Sequence, residues 1–161
     1  MAAERDAAAG ARCGICAMIE RLAASEFPDA IAELPRSWLI LGDAQFYRGY
    51  CVILAKRHVR EMHALPRGEA HELLDELIAV GKAIERVTAP LKLNYECLGN
   101  QEPHVHWHVF PRYADDRMRL EPVWTRPLSE RKTPLPESDR QALIAALRTE
   151  LRTLLPAARI V

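Results

Sequence analysis

Three histidines alternate with bulky apolar residues in the stretch His104-Val105-His106-Trp107-His108-Val109-Phe110-Pro111-Arg112. In an extended chain successive side chains point to opposite faces, so the three imidazoles share one face and Val105, Trp107 and Val109 take the other, toward a core. Adjacent histidines are then roughly 6.5–7 Å apart at Cα. Half of the chain's six histidines fall on this strand. Two chemistries suit the arrangement. In one, two or three imidazoles ligate a hydrolytic zinc. In the other, a neutral imidazole attacks a phosphate ester. One ring nitrogen is hydrogen-bonded and the other bare, and the neighbouring histidines donate to phosphate oxygens. Histidines serving only as surface or core residues would not account for the strict alternation.

A second constellation is Cys13-Gly14-Ile15-Cys16. Two intervening residues let both thiolates reach one metal, and a tetrahedral site then needs two more ligands. A pair of half-buried thiols at a helix start is the plainer reading. A redox pair is a third, but no βαβ pattern follows it. The solitary Cys51 and Cys97 read as small buried hydrophobes. His63 and His71 remain as further metal-ligand candidates, with His71 expected in solvent near a helix start.

These side chains must be positioned by an alternation of short apolar runs and two long helices. Residues 1–12 read as a frayed tail. A short helix is expected over about Cys16–Ala24, with Met18, Ile19 and Leu22 on one face. Ala30–Leu34 and Trp38–Leu41 read as strands joined by a tight turn, and Tyr50–Ala55 as a third strand. Glu69–Val87 is a helix by its stripe of Leu73, Leu77, Val80, Ile84 and Val87, and Pro90 blocks its continuation. Lys92–Leu98 and Val105–Pro111 complete the strands. Residues 113–136 hold four prolines and many charges without periodicity, as functional or mobile segments do. Ser138-Asp139-Arg140-Gln141 matches a capping box opening a last helix to about Leu155. The order predicts an α+β fold, with an antiparallel sheet of about five strands and packed helices. The division is a tail (1–12), a core (13–112), an irregular segment (113–136) and a C-terminal helix on the same domain (137–161).

At 161 residues the chain matches a single domain. Its 22 basic and 22 acidic residues leave a formal net charge of +0, against binding a nucleic acid polymer by bulk charge. The hydrophobic fraction is 49%, an ordinary globular value, and no run approaches a membrane span. No secretory h-region is evident, so the cytoplasm is the expected location and no membrane partner is expected. Neither a P-loop nor a Rossmann fingerprint is present. Yet Ala44–Arg60 contains Arg48, Lys56, Arg57 and Arg60 and no acid, and Arg112, Arg117, Arg119 and Arg126 follow the histidine strand. The first group reads as a solvated face or as contacts to phosphate; the second reads as contacts to a polyphosphate or a partner chain, with Asp115, Asp116 and Glu121 interspersed among it. Trp38, Trp107 and Trp124 read as core or interface residues, Trp124 least clearly.

The His-x-His-x-His strand with its apolar flanks resembles the motif of the histidine triad (HIT) superfamily of nucleotide hydrolases and transferases. The likeness runs over about residues 13–112. Gly49-Tyr50-Cys51-Val52-Ile53-Leu54-Ala55-Lys56-Arg57-His58 looks like that family's Gly-His-x-Leu-Val-Ile-Pro-Lys-x-His segment, and Leu98-Gly99-Asn100 like its polar loop ahead of the triad. His-Val-His-Trp-His-Val-Phe-Pro-Arg resembles the branch with diadenosine polyphosphate hydrolases. The resemblance implies a HIT-like fold and a homodimer acting on a small nucleotide. His106 would attack the α-phosphorus to form a nucleotidyl-histidine, and His108 would hold the phosphate and assist the leaving group. Asp43 would bind ribose hydroxyls, and Asn100 and Gln101 phosphate oxygens. Cysteine-bearing relatives imply a structural zinc on Cys13, Cys16, His58 and His104. A non-catalytic nucleotide-binding module and a zinc hydrolase remain the alternatives. The chain departs from the family pattern at Tyr50, where histidine is common, at Ala55, where proline is, and in a short loop between Gly99 and His104.

Overall fold

The computed structural model describes residues 13–161, and the expected tail 1–12 lies outside them. Helix α1 (Gly14–Ala23) starts directly after Cys13, two residues earlier than the apolar spacing predicted. Strands β1 (Ala30–Glu33) and β2 (Ser37–Leu41) form a hairpin closed by Leu34 N–H donating to the Ser37 carbonyl at 2.8 Å. Strand β3 (Cys51–Ala55) pairs antiparallel with β2, Trp38 facing Leu54 and Ile40 facing Val52. Helix α2 (Arg67–Thr88) buries Leu73, Leu77, Val80 and Ile84 and ends with Ala89 left-handed ahead of Pro90. Strands β4 (Lys92–Glu96) and β5 (His106–Arg112) pair antiparallel, and β5 also pairs with β3, His106 opposite Leu54 and His108 opposite Val52.

The sheet has the order β4-β5-β3-β2-β1-β6. Its sixth strand, β6 (Arg159–Ile160), was not expected, because two residues carry no periodicity; it pairs with Ala32 and Glu33. With a helix layer on this antiparallel sheet, the fold is α+β as expected.

The two faces of the sheet do different work. One packs on α2 and on α4 (Glu137–Leu154), burying Ile53, Ala55, Val105 and Val109 with Ile84, Leu143 and Leu147. Trp107 joins this core and Trp38 is buried on the opposite face. That opposite face carries Ile40, Val52, Leu54 and Phe110 under Ile15 and Leu22 of α1. Strand alternation puts His106 and His108 on this second face, beside Phe110.

Two expectations are corrected here. Helix α4 does not open with a capping box: Pro136 is its N-cap, Ser138 lies in the first turn, and no side chain caps the helix. Proline fixes the entry dihedral, and Glu137 and Asp139 place acid at the positive end of the helix. The arginines after β5 do not face a ligand as a set. Arg112, 3% exposed, donates to the carbonyls of Met118 (2.6 Å) and Glu121 (2.8 Å), to Asn94 Oδ1 (2.9 Å) and to Asp116 (3.3 Å). Asp116, itself buried, also accepts from Arg126 at 2.5 Å, and Arg126 lies 3.9 Å from the centroid of Phe46. This Arg–Asp–Arg clamp folds residues 113–131 back over the histidine face. The segment contains a 3₁₀ turn (Val123–Thr125) and the one-turn helix α3 (Leu128–Arg131).

Candidate active site and metal centre

His104 precedes β5 and is 1% exposed. Its Nε2 donates to the Ala55 carbonyl at 2.7 Å, which leaves Nδ1 without a proton. That bare nitrogen lies 3.5 Å from Cys13 Sγ, 3.5 Å from Cys16 Sγ and 3.2 Å from His58 Nδ1, and Cys16 Sγ is 3.3 Å from His58 Nδ1. The donor atoms of all four residues lie within 4.8 Å of one another. A tetrahedral zinc with Zn–N near 2.0 Å and Zn–S near 2.3 Å has N···N and N···S edges of about 3.3–3.6 Å. The four donors fit such an ion in type, number and spacing. Burial and the neighbouring Cys13 push the Cys16 thiol up to about 11, so a cation is what would hold Cys16 as a thiolate near neutral pH. His63 and His71 are not in the cluster.

The other two triad histidines face a different place. The His106 and His108 rings are 4.8 Å apart at an interplanar angle of 77°. They line a cleft of about 730 Å³ with Asp43, Asn100, Gln101, Trp124 and Lys132. His106 Nδ1 donates to the His104 carbonyl at 2.6 Å; since a carbonyl only accepts, the remaining nitrogen, Nε2, is a bare lone pair in the neutral ring. His108 Nδ1 meets the Tyr50 hydroxyl at 2.6 Å. Burial, with His106 beside it, pushes the His108 imidazole down to about 4, so it is neutral at pH 7. Burial likewise lowers His104.

The expected substrate residues reach the same cleft. Asn100 and Gln101 lie on the loop between β4 and β5, and Glu102 of that loop accepts from the Gly14 N–H at 3.2 Å. The loop is thereby tied to the start of α1 at the cysteine pair. Asp43, just past β2, is exposed and paired with Lys132 Nζ at 2.6 Å. The basic run 44–60 does not supply the cleft: Lys56 pairs with Glu33 and Arg57 with Glu69, away from the histidines. Its positive charge comes instead from Arg131 and Lys132. Those two and Leu128 were missed from sequence, and Trp124, read as core or interface, lines the cleft. Trp124 packs edge to face on His108 (5.3 Å) and Phe110 (5.6 Å), with Arg131 4.8 Å from its centroid. A tryptophan inside a proline-rich, non-periodic segment was the available signal.

Comparison with known proteins agrees with this geometry. The model of the HIT domain matches residues 26–115, more than half the chain, and the chain belongs to that family. A histidine triad protein from Bradyrhizobium japonicum is 27% identical, with a TM-score of 0.63 over 81% of this chain and 93% of that one. One from Marinobacter aquaeolei VT8 is 26% identical, with a TM-score of 0.60 over 85% and 93%. A zinc-bound histidine triad family protein from Mycobacterium smegmatis shares the fold at 24% identity, with a TM-score of 0.60 over 87% and 96%. No curated protein matches the sequence significantly. Membership of the family supports a nucleotide-binding or hydrolase-type function in general terms. Among the described residues, no helix is long and apolar enough to cross a membrane.

Proposed function

We propose that the protein is a nucleotide phosphohydrolase or nucleotidyltransferase working through a covalent nucleotidyl-histidine on His106. The observation that carries this is the His106 ring itself. Its Nδ1–H is anchored on a backbone carbonyl, so the lone pair at Nε2 is the free, oriented end in the cleft. In the first step that lone pair bonds to the α-phosphorus of a nucleoside phosphoanhydride, such as a diadenosine polyphosphate, or of a phosphoramidate. The bond to the leaving group breaks with its electron pair on the leaving atom, and the His104 carbonyl steadies the positive ring. In the second step water or another acceptor attacks phosphorus and loses its proton to solvent, the P–N bond breaks, and the His106 lone pair returns. His108, Asn100 and Gln101 hold phosphate oxygens, and Asp43 takes the ribose hydroxyls in exchange for Lys132.

Cys13, Cys16, His58 and His104 hold a structural zinc in this reading. Four protein donors leave no open position on such an ion, which favours histidine catalysis over a zinc-hydrolase role. Bound there, zinc would supply a cross-link between α1 and the catalytic strand. The working unit is a homodimer. In support, β4 is an edge strand, Leu91 and Tyr95 at it are exposed, and Ile78 of α2 is exposed as well. The cytoplasm is the proposed compartment.

The deciding experiment is incubation with a diadenosine polyphosphate followed by acid-free trapping and mapping of the adduct. A nucleotidyl group on His106, with turnover lost in His106→Ala and nucleotide binding retained, is the expected result. A His106→Ala protein that keeps most of its turnover refutes the covalent mechanism, and nucleotide binding without turnover in the wild type favours a binding module.

A further inference from the structure

Tyr50 occupies the position where the family pattern commonly has histidine, and its surroundings are built around it. Gly42 leaves room for the ring: a Cβ there would lie 2.1 Å from Tyr50 Cε1. The Tyr50 carbonyl accepts from Gly42 N–H and from Gln45 Nε2, each at 2.9 Å. Gly49, at φ +90°, makes the turn that delivers the residue into β3. The phenol ring stacks on Phe110 at 4.0 Å and 3°. Backbone and ring are thus fixed, and the side chain is 4% exposed.

The hydroxyl's partner is His108 Nδ1, at 2.6 Å, and among the described residues it has no other. Of the two ways to share one proton across this contact, only one pairs the buried phenolic proton. If His108 donated from Nδ1, the buried phenolic O–H would have no acceptor. If Tyr50 donates, the phenol and Nδ1 are both paired, and the His108 proton sits on Nε2, the nitrogen left to donate into the cleft. Burial also raises the phenol far above its ordinary value, so it does not ionise to reverse the bond.

We infer that Tyr50 is a positioning residue that locks His108 as a neutral Nε2–H donor and thereby selects substrates whose leaving group departs as an oxyanion. This rests on the covalent mechanism proposed above for His106. When His106 Nε2 bonds to phosphorus, the P–O bond breaks and its electron pair leaves on a phosphate oxygen. That oxygen is stable without a proton, and a hydrogen bond from His108 Nε2–H suffices; no proton is transferred. An amine leaving group differs, because the electron pair left on nitrogen must be protonated for the P–N bond to break readily. A neutral imidazole whose other nitrogen is already occupied by a phenol is a poor source of that proton. The geometry therefore points to phosphoanhydrides over phosphoramidates.

The test combines a spectrum with a substrate ratio. In ¹⁵N-labelled wild type near pH 7, His108 should show a bare Nδ1 and a protonated Nε2. Tyr50→Phe, which removes only the hydroxyl, should give a mixture of both tautomers. Wild type should cleave diadenosine triphosphate at least tenfold faster, in kcat/KM, than adenosine 5′-phosphoramidate. Tyr50→Phe should shrink that ratio several-fold, while a purely structural role would lower both rates alike. A protonated Nδ1 in wild type, or a ratio unmoved in Tyr50→Phe, overturns the inference. Cleavage of neither substrate overturns the functional reading instead, and the tautomer spectrum then decides the role of Tyr50 alone.

Discussion

The clamp of Arg112, Asp116 and Arg126 makes a sharp prediction for Asp116→Asn. The carboxylate is buried between two buried guanidiniums, accepting from Arg126 and from the Met118 N–H (2.8 Å) on Oδ1 and from Arg112 on Oδ2. Asparagine has nearly the same shape but only one acceptor oxygen. Placed at Oδ1, that oxygen keeps Arg126 and Met118 and turns an N–H₂ toward Arg112; the flipped amide sacrifices the other two. Removing one partner of a buried ion pair costs about 3–5 kcal/mol. Arg112 keeps three further acceptors and Arg126 keeps Glu130, so the lower figure applies. For a domain of this size about 3 kcal/mol corresponds to a fall of roughly 6–12 °C in Tm, if the whole fold feels it. Residues 113–131 can also open while the sheet stays intact, and the loss then appears as local exchange. Hydrogen exchange read peptide by peptide, alongside a thermal melt, separates the two cases. Trp124, Leu128, Arg131 and Lys132 would leave the cleft with the segment, so KM should rise more than kcat falls. An Asp116→Asn protein with an unchanged melt and unchanged protection over 113–131 would refute the idea that the clamp holds this wall.

Two further predictions concern the histidines. Purified protein that has never met a chelator should carry one zinc per chain, and cobalt replacement should give the absorption of thiolate-bound tetrahedral metal; far less than one equivalent would overturn the metal assignment. His108 sits at about 4 in the folded chain against an ordinary value of 6.5. The unfolded chain therefore binds the proton first, and stability falls as pH drops from 6.5 toward 4. The total is of order 3 kcal/mol. The neighbouring His106 acts in the same direction and Asp43 opposes it. Urea unfolding of wild type and His108→Asn across this range isolates the effect, and parallel curves would refute it.

Much of this was legible from residue pattern alone. Helix α2 declared itself through its apolar stripe, α4 was anticipated from a capping pattern that does not in fact cap it, and the alternation at 104–109 correctly sent Val105, Trp107 and Val109 to the helix-covered core. What escaped was side-chain pairing inside a segment without periodicity. Arg112 and Arg126 read as contacts to a polyphosphate or a partner chain, and the pattern does not single out Asp116, among the nearby acids, as their common partner. Arg131 and Lys132 reach the cleft only because that pairing folds the segment back. Strand β6 is too short to have a pattern. Tyr50 was visible as a departure from the family, but its role depends on a hydroxyl meeting a residue 58 positions away.

The Asp43–Lys132 pair has a consequence for how the cleft would respond to ionic strength. Both side chains are largely exposed, so the contact contributes less than about 1 kcal/mol and is easily opened. Its charges nevertheless neutralise each other before any ligand arrives. A nucleotide giving ribose hydroxyls to Asp43 and phosphate to Lys132 replaces one set of partners with another instead of adding charge to a bare surface. Added salt weakens the internal contact and the new one together, and the two losses offset. Affinity at this site should therefore vary little with salt, unlike that of a surface that recruits anions with unpaired lysines.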